Sequence, residues 1–436
     1  MTEYILIIAF LFLCYRLVKN MGKSFPLFEL TGLLYILQYG IAPMLDYKYG
    51  ELGIMAVPVE EYLPFATYAS LSFIAGLFVF RPKLKLKPLQ IDPEMASALG
   101  RIFLSIGIIS SLAMLILPYS FRSIVTFFII LKWPGVFSLI FSEKKIDKLF
   151  VIIVFIEIAA SAILNALLIE FIVFSIFILM YISLRYKIST KVKIIVALTG
   201  MLFLTVYQGI KAEYRELVWE EELSFEEKIG LLSELITFSS IQETFSEDID
   251  NNDSVLQTIS RLNQGFQTSM VIGHVPTHVP FENGTALMED IASSLVPRFL
   301  YPDKRVVNDY QRFNYYTGYS LNAATSMSIG VIGDVYINFG FYGSIVALFL
   351  LGMFFSRISL WFYKSYISNN MLNLIWLPFL FSYLIRPGNE FYMVLNHLIK
   401  GLIVFFIVRG FLYRYLQRNL LNKQRSIETS ESPNYH

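Results

Sequence analysis

The chain has 436 residues, 56% of them hydrophobic and 16% charged, with a mean hydropathy of +0.57. Soluble domains carry about 25% charged residues, so this composition excludes an ordinary soluble domain and places the chain among polytopic membrane proteins. A formal net charge of only +1 excludes a nucleic-acid binder, which shows a clear basic excess, and the single cysteine, Cys14, excludes a disulfide framework or a zinc knuckle.

A bilayer core of about 30 Å needs roughly 17 to 25 apolar residues per helix. By that measure the sequence predicts about eleven spans, near residues 4–19, 25–45, 62–80, 98–117, 122–141, 149–166, 167–184, 192–210, 328–355, 371–386 and 391–413. The first, in MTEYILIIAFLFLCYRLVKN, has its acid ahead of the apolar run, its cations behind it and no small-residue cleavage site. It is therefore expected to remain as a permanent span. Lys and Arg cluster after the first, third, fifth and seventh spans and again in RYLQRNLLNKQR near the C-terminus. All five clusters fall on one side if the N-terminus is outside and the C-terminus cytoplasmic. The resulting organisation is a bundle of about eight helices over 1–210, an external loop over 211–327, about three further spans over 328–413 and a cytoplasmic tail over 414–436.

Within the loop, SFEEKIGLLSELITFSSIQETF begins with a capping box, Ser224 and Glu227, and continues with Phe225, Ile229, Leu232 and Ile236 on one helical face. A second helix is expected from Ser254 to about Met270, stacking Val255, Ile259, Leu262 and Phe266. Both are expected to lie on the membrane or to cap the bundle. His274 and His278 have the spacing of helical zinc ligands, but Pro276 and Pro280 break any helix there, and no metal site is expected. Glycines 330, 333, 340 and 343 read as close helix packing.

Besides Lys228 of that first helix, the cations of the loop are Lys211, Arg215, Arg261, Arg298, Lys304, Arg305 and Arg312. Orientation signals place positive charge on the cytoplasmic side, so here that explanation has the wrong sign. Arginine presents a planar, permanently charged fork matched to phosphate oxygens, and a convergent set beside the outer leaflet suits a lipid-linked diphosphate. The competing reading pairs these cations with the loop's own acids, Glu213, Glu216, Glu220 to Glu222 or Asp303. Arg386 at the mouth of the tenth span, His397 in the eleventh and Asp334 at the start of the ninth are ionisable groups in apolar surroundings. Such groups face internal cavities, because exposure to lipid is costly.

Three stretches, GIKAEYRE at the start of the loop, LVPRFLYPDK near its end and GDVYINFGFYG at the next span, occur in an order that resembles the bacterial oligosaccharide repeat-unit polymerases, the Wzy-type O-antigen and capsule polymerases. The resemblance covers roughly residues 200–345 by motif and the remainder by layout. It implies a helical membrane glycosyltransferase of the GT-C type, with no cofactor and no metal. Such an enzyme transfers a growing glycan from undecaprenyl diphosphate to the next lipid-linked repeat unit, building O-antigen, capsular or exopolysaccharide outside the bacterial inner membrane. A chain-length-regulating co-polymerase and a flippase are the implied partners. By motif position the resemblance assigns the diphosphate to Arg215 and Arg298, with Lys211 and Lys304 sharing those motifs.

Cleavage of a sugar–diphosphate bond builds negative charge on the departing oxygen, which preorganised guanidinium groups stabilise without Mg²⁺. SEDIDNND, residues 246–253, reads as a solvated acidic turn instead of a metal-binding motif. A base must take the proton of the acceptor hydroxyl, and Asp334, Glu390 and His397 are candidates that the sequence leaves unranked. Two alternatives stay open. An O-antigen ligase shares donor and architecture, and a transporter or flippase of lipid-linked glycan needs no base at all.

Overall fold

The computed structural model describes the chain except for residues 50–53, 81–91, 118–124, 165–168, 201–213, 215–223, 236–258, 297–300, 302–303, 307–308, 323–326, 368–370 and 414–436. The described residues are helical, with no β-strand beyond an isolated bridge between Met21 and Ser24. Among them, five helices are long and apolar enough to cross a membrane: Leu27–Tyr49, Val59–Val79, Pro93–Ala113, Gly330–Lys364 and Phe391–Val408. Helices Thr2–Asn20, Lys145–Leu164 and Ile169–Tyr186 occupy the first, sixth and seventh predicted spans. The side chains of Ile8, Leu11 and Phe12 on the first of these are more than half exposed, as lipid-facing positions are in a protein with no aqueous reason to bury them.

Two predicted spans take a different form. The described part of residues 122–141 yields an apolar helix, Val125–Leu139, shorter than a membrane span and interrupted by a turn before Lys132–Leu139, and residues 371–386 yield a 3-10 turn, Met371–Ile375, followed by the short helix Trp376–Phe381. The second departure has a local cause. Pro387 lacks an N–H, and Asn389 closes a turn on its own side by donating from Nδ2 to Tyr383 O (2.8 Å) and from its backbone N–H to Arg386 O (3.1 Å). A further departure concerns the expected helix 254–270: helical turns run over 259–262, and a separate helix, Gly265–His274, follows. Asn263 Oδ1 accepts from Phe266 N–H (3.0 Å), a capping bond that competes with continuation of the helix. The capping box itself forms: Ser224 N–H donates to Glu227 Oε2 (2.7 Å) and Glu227 N–H to Ser224 Oγ (3.3 Å), opening helix Phe225–Leu235.

The chain folds as two compact units, one of residues 1–86, 157–361 and 381–396, the other of residues 87–156, 362–380 and 397–436. In the first, Leu6, Leu13, Ile36, Leu63 and Ile74 form a buried apolar cluster. Helix Val59–Val79 meets the long helix Gly330–Ile367 at a glycine crossing. A Cβ on Gly76 would lie 2.2 Å from Phe349 O, and one on Gly352 would lie 2.4 Å from Phe73 O. Backbones approach this closely only where side chains are absent. The long helix is itself interrupted at Gly340, whose φ of 63° and ψ of −162° belong to glycine alone. The glycines of this motif thus supply a break as well as packing. In the second unit, Asp92 Oδ1 accepts from Glu94 N–H (2.9 Å) and Pro93 takes the first position of helix Pro93–Ala113. Trp376 packs edge-on against Phe103, Phe379 and Phe405, with ring centroids 5.4, 5.4 and 5.2 Å away.

Gly76→Val tests the crossing. Overpacking backbone against backbone is expected to cost about 1–3 kcal/mol or more, seen as a lowered thermal midpoint of the detergent-solubilised protein. A midpoint equal to that of wild type would show that the two helices do not touch there.

Candidate functional site

Five charged side chains from five segments of the first unit meet in its interior. Helix Thr285–Leu295 supplies Asp290. Arg305 follows it in an irregular stretch, Arg312 projects from helix Tyr310–Thr317, Asp334 lies in the first turns of Gly330–Ile367, and Glu390 immediately precedes helix Phe391–Val408. Arg305 is held between two carboxylates: its Nη1 donates to Asp290 Oδ1 and its Nη2 to Glu390 Oε2 (2.5 Å). Arg312 Nη2 donates to Asp334 Oδ1 (2.7 Å), and Asp334 Oδ2 accepts from the backbone N–H of Phe391 (2.8 Å). Asp334 therefore caps the N-terminus of the last helix, where an anion is favoured by the unpaired N–H groups and the helix dipole. The carboxylates are 0–2% exposed.

The surrounding fold fixes each member. Lys304 Nζ donates to Ser293 O (2.9 Å) and Val296 O (3.1 Å), binding the chain beside Arg305 to the C-terminal carbonyls of the helix that carries Asp290. Asn338 Nδ2 donates back to Asp334 O (2.8 Å). The turn carrying Glu390 is pinned by Tyr39, whose hydroxyl donates to Pro387 O (2.8 Å), while Tyr62 donates to Tyr39 O (2.8 Å). Tyr39 projects from a π-helical turn, Ile36–Ile41, a device that recurs at functional sites. Gly330 makes room for it, since a Cβ there would stand 2.1 Å from the Tyr39 hydroxyl. Tyr392 lies 5.4 Å beneath the Arg305 guanidinium and Tyr316 4.9 Å beneath that of Arg312, each in cation–π contact.

Burial and the neighbouring Asp334 charge push the Asp290 carboxyl up to about 6, although Arg305 and Arg312 oppose the shift. Burial, then Asp334, push Glu390 up to about 7 against the same two guanidiniums. For Arg312, burial acts to lower the value, but Asp334 and Asp290 outweigh it and the guanidinium is held more firmly protonated than usual.

The residues singled out from the sequence divide into four groups. Asp334, Glu390 and Arg312 come together in this cluster. Lys304 borders it with its ammonium bonded to backbone carbonyls. Arg386 lies in the same unit, 3.9 Å from the exposed Glu170 and over the Tyr383 ring, with its Nε unpartnered; Arg261 is half-buried in the turn before Asn263. His397 belongs to the second unit, where its Nε2 lies 2.6 Å from Phe379 O and its ring packs against Phe127 and Phe379. A carbonyl can only accept, so Nε2 carries the proton in this contact. Lys211, Arg215 and Arg298 lie outside the described residues. His274 and His278 stack face to face with centroids 4.6 Å apart, and among the described residues no group of three or more His, Cys, Asp or Glu side chains is placed to hold a metal ion.

The sequence reading passed over Asp290. Its signal was present: the buried positions of helix 285–295 are Ala286, Asp290, Ser293 and Ser294, while Met288 and Leu295 are 64% and 61% exposed. A helix that hides its polar face and shows its apolar one adjoins a polar interior.

An all-helical chain with several helices fit to span a bilayer and a buried set of paired acids and guanidiniums is a membrane protein with a polar site inside it. Over residues 61–423, most of its length, the chain matches one family, described as a domain of unknown function, DUF8712, and it belongs to that family. No curated protein and no solved structure matches it.

Removing one partner from a buried pair leaves an uncompensated charge, at a cost of about 3–5 kcal/mol. Arg305→Ala is therefore expected to lose most of the folded, extractable protein, and recovery in the triple variant Arg305→Leu, Asp290→Leu, Glu390→Leu would show that charge imbalance is the cause. The raised carboxyls also set a pH dependence. A group that binds its proton more tightly when folded stabilises below its unfolded value and loses that contribution as pH rises through the folded one. Thermal stability is thus expected to fall between about pH 4 and 7, and Asp290→Asn to flatten the decline; an unchanged slope in that variant would assign the titration elsewhere.

Proposed function

We propose that the protein is a membrane glycosyltransferase that polymerises undecaprenyl-diphosphate-linked oligosaccharide repeat units on the periplasmic face of a bacterial inner membrane. One observation carries this reading: Arg305, directly after LVPRFLYPDK, Asp334 of GDVYINFGFYG and Glu390 of RPGNEF, distant in the chain, enter a single buried charge cluster. Of the three stretches that resemble repeat-unit polymerases, one thus contributes a member of the cluster and a second borders it through Lys304. Glycosyl transfer needs a group that accepts a proton near neutral pH, and the cluster holds two raised carboxyls, Asp290 at about 6 and Glu390 at about 7, with that property.

In this reading Arg215, Arg298 and Lys211 hold the donor diphosphate, and Arg386, loosely paired, is the described cation best able to join them. Lys304 and Arg312, assigned to the diphosphate from the sequence, instead build the scaffold, because their charges are taken up by helix carbonyls and by Asp334. The layout of about eleven spans, with the loop of 211–327 and the N-terminus periplasmic and the tail cytoplasmic, belongs to the same proposal, as do a co-polymerase and a flippase as partners.

A second reading draws on the break at Gly340 inside a membrane-length helix, close to protonatable acids. Interrupted helices of this kind serve transporters, and a flippase of lipid-linked glycan would use the acids for proton coupling. The deletion strain separates the cases. A polymerase deletion leaves single repeats on the outer leaflet and collapses the glycan ladder to one rung; a flippase deletion traps the repeats inside; a ligase deletion leaves polymer unattached to its final acceptor. Arg215→Ala and Arg298→Ala are each expected to reach the membrane and give the one-rung pattern, and a normal ladder in both would sink the diphosphate assignment. For topology, a cysteine at position 250 is expected to react with an impermeant maleimide from outside while one at position 86 does not.

A further inference from the structure

Four polar atoms in and beside the charge cluster are buried without any hydrogen-bond partner: Asp290 Oδ2, Ser293 Oγ, Arg305 Nε and Arg312 Nε. More than about 90% of buried polar groups in native proteins are satisfied, so a group of exceptions in one place calls for a cause. Asp290 and Ser293 share the buried face of helix Thr285–Leu295, Arg305 is bonded to Asp290, and Arg312 lies near enough to act on the Asp290 charge. The spare atoms therefore comprise one carboxylate oxygen, one hydroxyl and two guanidinium N–H donors.

The bonds already made decide what fits them. Arg305 and Arg312 have committed their Nη groups to Asp290, Glu390 and Asp334, and the Lys304 ammonium at the border is bonded to Ser293 O and Val296 O. A phosphate brought here finds three carboxylates and only the two Nε–H groups to receive it. A neutral diol meets complementarity: its O–H donates to Asp290 Oδ2 and its oxygens accept from the guanidinium Nε–H groups. Arg312, 12% exposed where Arg305 is 5% and the carboxylates 2% or less, is the member through which the cluster reaches the surface.

We infer that these atoms form a subsite for the hydroxyl groups of a carbohydrate, and that Asp290 is the catalytic residue that takes the proton from the reacting hydroxyl. The first half needs only the geometry; the second rests on the glycosyl-transfer reading and places the acceptor sugar within it. Asp334, proposed from the sequence as a base, has both oxygens engaged, by Arg312 and by Phe391 N–H, whereas Asp290 keeps one oxygen unbonded. In the step, the acceptor O–H passes its proton to Asp290 Oδ2. The freed oxygen pair forms the new bond to the anomeric carbon of the donor, and the bond from that carbon to the diphosphate breaks with its electrons leaving on the phosphate oxygen. The proton then departs to the medium by way of the cluster.

The test uses purified full-length protein in nanodiscs, with the free repeat oligosaccharide released from its lipid by mild acid as the probe. Dicyclohexylcarbodiimide labels protonated buried carboxyls, and its adduct on Asp290 is mapped by mass spectrometry. Labelling of Asp290 is expected, and it is expected to be lost with the oligosaccharide but retained with an equal concentration of inorganic pyrophosphate; labelling indifferent to the oligosaccharide, or blocked by pyrophosphate alone, overturns the subsite. In parallel, polymerisation of lipid-linked repeats by Asp290→Asn is expected to show kcat lowered about 10²–10⁴-fold with KM little changed, and Asp290→Glu to recover part of the loss. Protection by the sugar in a wild-type protein that does not polymerise supports the subsite and removes the glycosyltransferase reading. Polymerising wild type with an undiminished kcat in Asp290→Asn removes the catalytic assignment alone. The protection measurement is made on the wild-type chain, so a variant that fails to fold does not decide it.

Discussion

Arg305 lies buried between Asp290 and Glu390, with the Arg312–Asp334 pair beside it, and the geometry of five chain segments follows from keeping that set together. Taking each of these charges out of water costs several kcal/mol, and mutual attraction repays the cost only with good geometry and further hydrogen bonds. The extra bonds are present: Lys304 fixes the Arg305 segment to the end of the Asp290 helix, and Asp334 takes the first N–H of the last helix. Well-packed apolar side chains of similar volume would hold the same segments together at no electrostatic cost. A cluster that is expensive to keep and incompletely satisfied is therefore better explained by use than by stability.

How much of this was legible depends on the distance over which each signal acts. Asp334 could be picked out because an ionisable group in an apolar neighbourhood is costly wherever it sits, Arg312 because positive charge outside the membrane has the wrong sign for an orientation signal, and Glu390 as a carboxylate able to take a proton. The partners could not: the acids that the sequence offers nearby are Glu213, Glu216, Glu220 to Glu222 and Asp303, whereas Arg305 pairs with Asp290, 15 residues away on another helix of the loop, and with Glu390, 85 away, and Arg312 pairs with Asp334, 22 away. Local pattern also fixed the capping box at Ser224 and Glu227, since both members lie within one turn. It failed at Asn263 and at Gly340, where a single side chain or a single left-handed residue interrupts a stretch whose apolar content reads as continuous. Asp290 gives no such signal, because its helix buries Asp290, Ser293 and Ser294 and exposes Met288 and Leu295, the reverse of what a hydrophobic pattern marks.

That inversion links the fold to the site. Met288 and Leu295 face outward from a helix whose inner face is Asp290, Ser293 and Ser294. In water the arrangement exposes apolar surface and buries charge, two losses at once; against a membrane interface the outer face is matched to its surroundings and the inner face is screened from lipid by the rest of the unit. The same logic accounts for Tyr39 and Gly330. A π-turn and a residue without a side chain are both unfavourable in isolation, yet together they let one hydroxyl hold the Pro387 carbonyl and with it the turn that presents Glu390.

The pairing inside the cluster also divides the proposed reaction between two places. A diphosphate brought among Asp290, Asp334 and Glu390 meets three carboxylates whose guanidinium partners already serve them. Under the proposed function the donor's phosphates are assigned to Arg215, Arg298 and Arg386, and the neutral sugar to the acids. Such a separation keeps the base from being neutralised by the guanidiniums that stabilise the leaving group: Arg305 and Arg312 are already committed to carboxylates, and their remaining Nε–H groups can orient a hydroxyl without competing for the phosphate.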